Sequence, residues 1–247
     1  MKLVLAALVA IGAVWGAVAG DIPSPVFTNS LGMPFAKVTG TKVLFCIWPT
    51  RVQDYDQWLK ATGKSAEAPS YPQGPTHPAV NVNWNEATAF CQWLTDKERK
   101  AGTLAAGQSY RLPTDSEWSA AVGLNESVEG TPEAKDGKVK DVFPWGTEWP
   151  PPKDAGNYGA RLQVDTYRDT SPVGSFKPNG FGLYDVGGNV DQWCEDWYNA
   201  RQKDRTLRGG GFASDSRSSL SSARRGYMKP EYRMLAAGFR CVLAGKE

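Results

Sequence analysis

"GFGLYDVGGNVDQWCEDWY", residues 180–198, decides how the chain is read. Its apolar residues come in short pieces punctuated by Gly and Asn, the composition of short strands joined by long ordered loops. The same stretch sets Asp185, the carbonyls of Gly188 and Val190, and Gln192 within eight residues. Glycines at that spacing let the backbone bend until oxygens converge on a hard cation, and calcium takes about six to eight oxygen ligands.

Working outward, "FPWG" (143–146), "SPVGSFKPNGFGLYD" (171–185) and "TLRGGGF" (206–212) repeat this texture, so the C-terminal half reads as strands and loops. Helical periodicity is confined to the N-terminal half. In "VQDYDQWLKA" (52–61), Val52, Tyr55, Trp58 and Leu59 share a face. In "NWNEATAFCQWLTDKERKAG" (83–102), Asn83 stands at the cap position, Trp84, Ala87, Phe90, Cys91 and Leu94 form a stripe, and Gly102 stops the helix. A third, short helix is expected after Thr114, where Glu117 completes a capping box. "NESVEGTPEAKDGKVKD" (125–141) is polar and reads as an exposed excursion. No internal repeat and no domain boundary is visible.

The bulk properties exclude several classes. With 28 basic and 26 acidic residues the net charge is +2, which leaves no electrostatic footprint for nucleic acid. There is no basic amphipathic helix for a membrane surface. Met1-Lys2, the apolar run 3–19 and Ala17-Val18-Ala19 have the order of a secretory signal peptide (residues 1–19), followed by a lead-in (20–29) and one domain (30–247). An uncleaved anchor is the alternative, although about 17 apolar residues is marginal for a span. The expected location is extracytoplasmic, periplasmic or secreted. In that setting Cys46, Cys91, Cys194 and Cys241 can form disulfides, and sequence alone allows three pairings.

Six motifs then fall in order: "HPAVNVNWNEATAFCQWL" (77–94), "YRLPTDSEWSAA" (110–121), "FPWG", "GFGLYDVGGNVDQWCEDWY", "LRGGGF" (207–212) and "AGFRCVL" (237–243). Together they resemble the formylglycine-generating enzyme, or sulfatase-modifying factor, family from about residue 30 to the C-terminus. The resemblance implies a single α+β domain related to C-type lectins, with little regular secondary structure. It implies two structural calcium sites. One uses Asn157, the Tyr158 carbonyl, Asp165 and the Tyr167 carbonyl; the other uses Asp185, Gly188, Val190 and Gln192, the last being Glu in the family. It also implies a Cys91–Cys241 disulfide. Cys46 and Cys194 are left as a second pair or as two buried thiols.

The family's oxidase converts a sulfatase cysteine to formylglycine with O2 and copper(I) held by two thiolates. The first of those cysteines falls here on Ser214, and the second on Ser219 in a shortened loop. No cysteine occurs between Cys194 and Cys241. Soft Cu(I) selects thiolate over hydroxyl, so the copper site cannot form as the family builds it. Iron chemistry on several histidines is closed to a chain whose one histidine is His77.

The resulting expectation is an exported pseudoenzyme that keeps a calcium and disulfide scaffold and binds a peptide, protein or carbohydrate. Ser214, Asp215, Arg217, Ser219, Arg224, Arg225 and Tyr227 are the candidate groove residues. The rival readings are a family enzyme with cysteine-independent chemistry and an oxidase with an unusual ligand set that includes Cys194 and Cys46.

Overall fold

The computed structural model describes residues 23–245; the expected signal peptide lies outside them. Nine strands of two to seven residues form two sheets. In the first, β1 (Phe27–Thr28), β2 (Pro34–Lys37), β3 (Val43–Cys46), β9 (Val242–Ala244) and β4 (Ser109–Arg111) run in that spatial order, all antiparallel. In the second, β7 (Gly226–Met228), β6 (Arg205–Arg208), β5 (Asp191–Trp197) and β8 (Ala237–Gly238) are neighbours, and β8 runs parallel to β5.

Side chains alternate across the first sheet as the two-residue period of a strand requires. Phe35, Cys46, Cys241 and Leu243 enter a cluster with Tyr55, Trp58, Phe90, Cys91 and Leu94 of the two long helices. Ala36, Phe45 and Val242 point the other way, onto Trp118, Leu183, Val186 and Cys194. Both faces are covered, so this sheet is the middle layer of the molecule.

The helices begin where the capping chemistry places them. α1 (Val52–Thr62) is closed by Gly63 at φ +66°. α2 (Trp84–Lys100) opens with Asn83 Oδ1 accepting Glu86 N–H at 2.9 Å while Glu86 accepts Asn83 N–H at 3.1 Å. α3 (Asp115–Ala121) opens on the Thr114–Glu117 box. A fourth short helix, α4 (Pro132–Lys135), lies inside the polar excursion. Among the described residues no helix is long and apolar enough to cross a membrane.

The excursion is not simply exposed. Gly137 N–H donates to Ala223 O at 2.9 Å, Ser222 N–H to Val142 O at 2.8 Å, and Arg225 N–H to Asp136 at 2.7 Å. These bonds lay residues 136–142 against the end of the Ser/Gly loop. The segment's polarity is thus spent partly on satisfying that loop's backbone.

Candidate functional site

The loop from Gly209 to Arg224 is pinned at both ends by one carboxylate. Asp115 Oδ1 takes Arg208 Nη1 in a short contact and Arg225 Nε at 3.1 Å, and its Oδ2 takes Arg225 Nη2 at 3.0 Å. Glu126 of the excursion adds a pair to Arg225 at 2.6 Å, and Ser119 Oγ accepts from both guanidiniums. Burial alone would push the Asp115 carboxyl up. The two guanidiniums outweigh it and hold the group below its ordinary range. Arg225, expected in the groove, is therefore an interior residue whose side chain is 0% exposed. It shapes the loop without facing a ligand.

Within the loop the serines bond one another. Ser214 Oγ accepts Gly211 N–H at 3.3 Å, and Ser219 Oγ accepts from Ser216 N–H at 3.1 Å and donates to Ser216 O at 3.0 Å. Asp215 sits 3.5 Å from Arg161. Arg217 pairs with Asp141 at 2.7 Å and lies over Phe143 and Trp149. Arg224 is partly exposed, and Tyr227 is exposed and stacked on Tyr198 with centroids 4.3 Å apart. Of the candidate groove residues, Arg217 and Tyr227 are exposed, and Ser214, Asp215, Ser219 and Arg224 are half-buried.

The structure adds one residue that sequence reasoning missed. Asp191 Oδ1 accepts Gly210 N–H at 3.1 Å and stands 3.5 Å from Arg224 Nη1, one peptide away from the Gly211 N–H that meets Ser214. Burial pushes its carboxyl up, against the pull of Arg224. Its signal in the sequence is a lone acid between Val190 and Gln192-Trp193, inside a stretch that is otherwise buried. On the same side, Tyr71 meets Phe212 edge to face at 5.5 Å and donates its hydroxyl to Leu235 O.

Among the described residues neither Ser214 nor Ser219 makes a hydrogen bond to a histidine or a carboxylate. His77 Nδ1 is 3.0 Å from Thr170 Oγ1, and the histidine makes no hydrogen bond to a serine of the loop. Ser214 and Ser219 offer hydroxyls where copper(I) would need thiolates. Among the described residues no three His, Cys, Asp or Glu side chains converge as a metal site. Cys46 and Cys194 are buried in different apolar clusters, on opposite faces of the first sheet. Burial pushes the Cys46 thiol up to about 12 and raises Cys194 well above its usual value, so neither supplies a thiolate at neutral pH. Cys91 and Cys241 stand with their sulfurs 3.5 Å apart.

The two expected calcium sites differ. At the first, Asp165 bridges Tyr158 N–H at 3.0 Å and Tyr167 N–H at 2.8 Å, and among the described residues no basic side chain pairs with it. Asn157 Oδ1 is buried without a hydrogen-bond partner, while its Nδ2 donates to Asp169 O at 2.8 Å. The Asp165 carboxylate and the orphaned buried oxygen of Asn157 are donors of the kind a hard cation takes. This site also touches the loop. Gly159 N–H donates to Ser214 O at 2.8 Å, and a Cβ on Gly159 would lie 2.6 Å from that of Asp215. At the second site Gln192 turns its amide N–H toward Asp185 O at 2.8 Å and Val186 O at 3.3 Å, so it presents a donor where a metal needs an oxygen. Asp185 is buried and accepts from Gly174 N–H at 2.9 Å, and Gly188 and Val190 are linked by a 2.8 Å turn bond. These residues do not fit calcium.

Comparison with known proteins agrees with the architecture. The family model described as sulfatase-modifying factor enzyme 1-like domain matches residues 28–244. The formylglycine-generating enzyme of Thermomonospora curvata is 32% identical over 176 residues, covering 65% of this chain and 47% of that protein. A Bos taurus protein named inactive C-alpha-formylglycine-generating enzyme 2 is 31% identical over 176 residues, covering 67% and 50%. The chain spans about half the length of the curated relatives it matches. Among solved structures, PvdO from Pseudomonas aeruginosa superposes with a TM-score of 0.60 at 25% identity over 82% of this chain and 80% of that one. CarF superposes with 0.58 at 20% identity over 88% and 100%, a likeness of fold alone. A single α+β domain, six motifs in order and a family match over nearly its whole described length place this chain in the sulfatase-modifying factor, or formylglycine-generating enzyme-like, family.

Proposed function

We propose that this chain is an exported member of the family that does not act as a copper oxidase but as a binding or accessory module. Its groove around Ser214 takes a peptide, protein or glycan, and Arg224, Tyr227 and Arg217 supply contacts. Calcium in the Asn157–Tyr167 site supports the groove from beneath through Gly159. The observation that carries the reading is the donor set. The loop holds serine hydroxyls and no thiol, and all four cysteines are buried elsewhere. A relative bearing the name inactive is in line with a family that tolerates loss of the reaction.

Titration with Cu(I) against a competing chelator tests it. The expected result is no copper retained at equimolar chelator. High-affinity binding that Cys46→Ala or Cys194→Ala removes would overturn the reading in favour of an oxidase with unusual ligands. A screen of peptides and glycans then identifies the ligand class, with Arg224→Ala and Tyr227→Ala as variants expected to weaken binding at least tenfold.

A further inference from the structure

Arg240 is 1% exposed, and among the described residues it forms no ion pair with a carboxylate. Its charge is held by neutral oxygens. Nε donates to Gln192 Oε1 at 2.7 Å, Nη1 to Cys46 O at 3.1 Å, and Nη2 to Tyr184 O at 2.7 Å and Asp185 O at 2.9 Å. A cation surrounded by main-chain carbonyls and one amide oxygen has the donor set that a hard metal ion would have. An unpaired buried charge is costly unless its hydrogen bonds are met, and four are met here.

The amide of Gln192 has one workable orientation. With Oε1 on the guanidinium, Nε2 is left to satisfy Asp185 O and Val186 O. Turned over, it would set NH2 against a guanidinium and oxygen against two carbonyls. A glutamate there would keep one oxygen on Arg240 and bring the other onto those carbonyls, a clash of acceptors that only a further cation relieves.

We infer that in this chain the Gln192 amide, with Oε1 on the Arg240 guanidinium and Nε2 on the Asp185 and Val186 carbonyls, takes the place of the second calcium in tying the 184–192 turn to the segment that leads into β9. The turn is thus metal-independent, and any calcium bound is bound by the Asn157–Asp165 site alone. The inference does not depend on that first site being filled.

Equilibrium dialysis of the chelator-stripped full chain against calcium decides it, with near-UV circular dichroism confirming the fold of each variant. Gln192→Ala is expected to bind as many calcium ions as the wild type, and Asn157→Ala none, with Asp165→Asn as the substitute if Asn157→Ala does not fold. Gln192→Glu is expected to bind one more ion than the wild type and to melt higher when calcium is added. A first-site variant that still binds one calcium, or a folded Gln192→Ala that binds one fewer than the wild type, would overturn it. Failure of the wild type to bind calcium sinks the first site only, and the Gln192→Glu gain then decides this inference by itself.

Discussion

At the scale of single residues, Asp115 organises more of the loop than any serine in it. It balances two fully buried guanidiniums, so Asp115→Asn leaves a buried positive charge uncompensated and is expected to cost about 3–5 kcal/mol in urea unfolding. Because the folded-state pKa of Asp115 is depressed, its contribution is complete above the unfolded carboxylate value of about 3.9 and is lost as pH falls through the folded value. Asp191 has the opposite sign. Burial raises its folded-state pKa, so it weakens the fold at neutral pH and stops doing so as the pH drops below the unfolded value. Asp191→Asn is therefore expected to melt higher than the wild type at pH 7, with the difference closing toward pH 4, and to bind the groove ligand more weakly. Gly159→Ala would force a Cβ to 2.6 Å from Asp215 and 3.1 Å from Ser214 O. About 1–3 kcal/mol of destabilisation is expected, with the loop displaced.

At the scale of elements, what could be read from the sequence divides by distance along the chain. The three main helices were legible because caps such as Asn83–Glu86 and Thr114–Glu117 lie three residues apart. Strands of two to four residues carry too few side chains to show a period; the texture of the C-terminal half showed only that short strands and loops alternate there, and β1 to β3 went unread. Arg224 and Arg225 are adjacent and looked equivalent, yet they point to opposite sides, one toward Asp191 and one toward Asp115. Asp115 meets Arg208 and Arg225 across 93 and 110 residues, a spacing no local pattern reports. The same limit applied to the polar 125–141 segment, whose role appears only against the loop it braces. Cys91 on α2 and Cys241 beside β9 are an element-scale pair. Oxidation is expected to join them and lower the intact mass by about 2 Da. Closure of so long a loop stabilises by about 2–5 kcal/mol, and Cys46 and Cys194 should still react with iodoacetamide after unfolding.

At the scale of the whole molecule, the layers converge on one edge where the Asn157–Tyr167 segment, the 185–192 turn and the Ser/Gly loop touch. Asn189 links them. Its N–H donates to Asn157 O at 2.8 Å, and its carbonyl accepts Phe212 N–H at 3.0 Å. A metal bound only by the native first site would raise native stability, so removing calcium from the intact chain with EGTA is expected to lower the melting temperature. An unchanged melting curve at saturating calcium would count against that site. The carboxylate clasp of Asp115 has a further consequence. Since one side chain holds both mouths of the loop and closes it on α3 and β6, residues 215–219, beyond the backbone bonds of Phe212 and Ser214, are expected to tolerate substitution while the frame beneath keeps its shape. A library of sequences spliced between Ser214 and Leu220 is therefore expected to yield folded proteins, checked by near-UV circular dichroism.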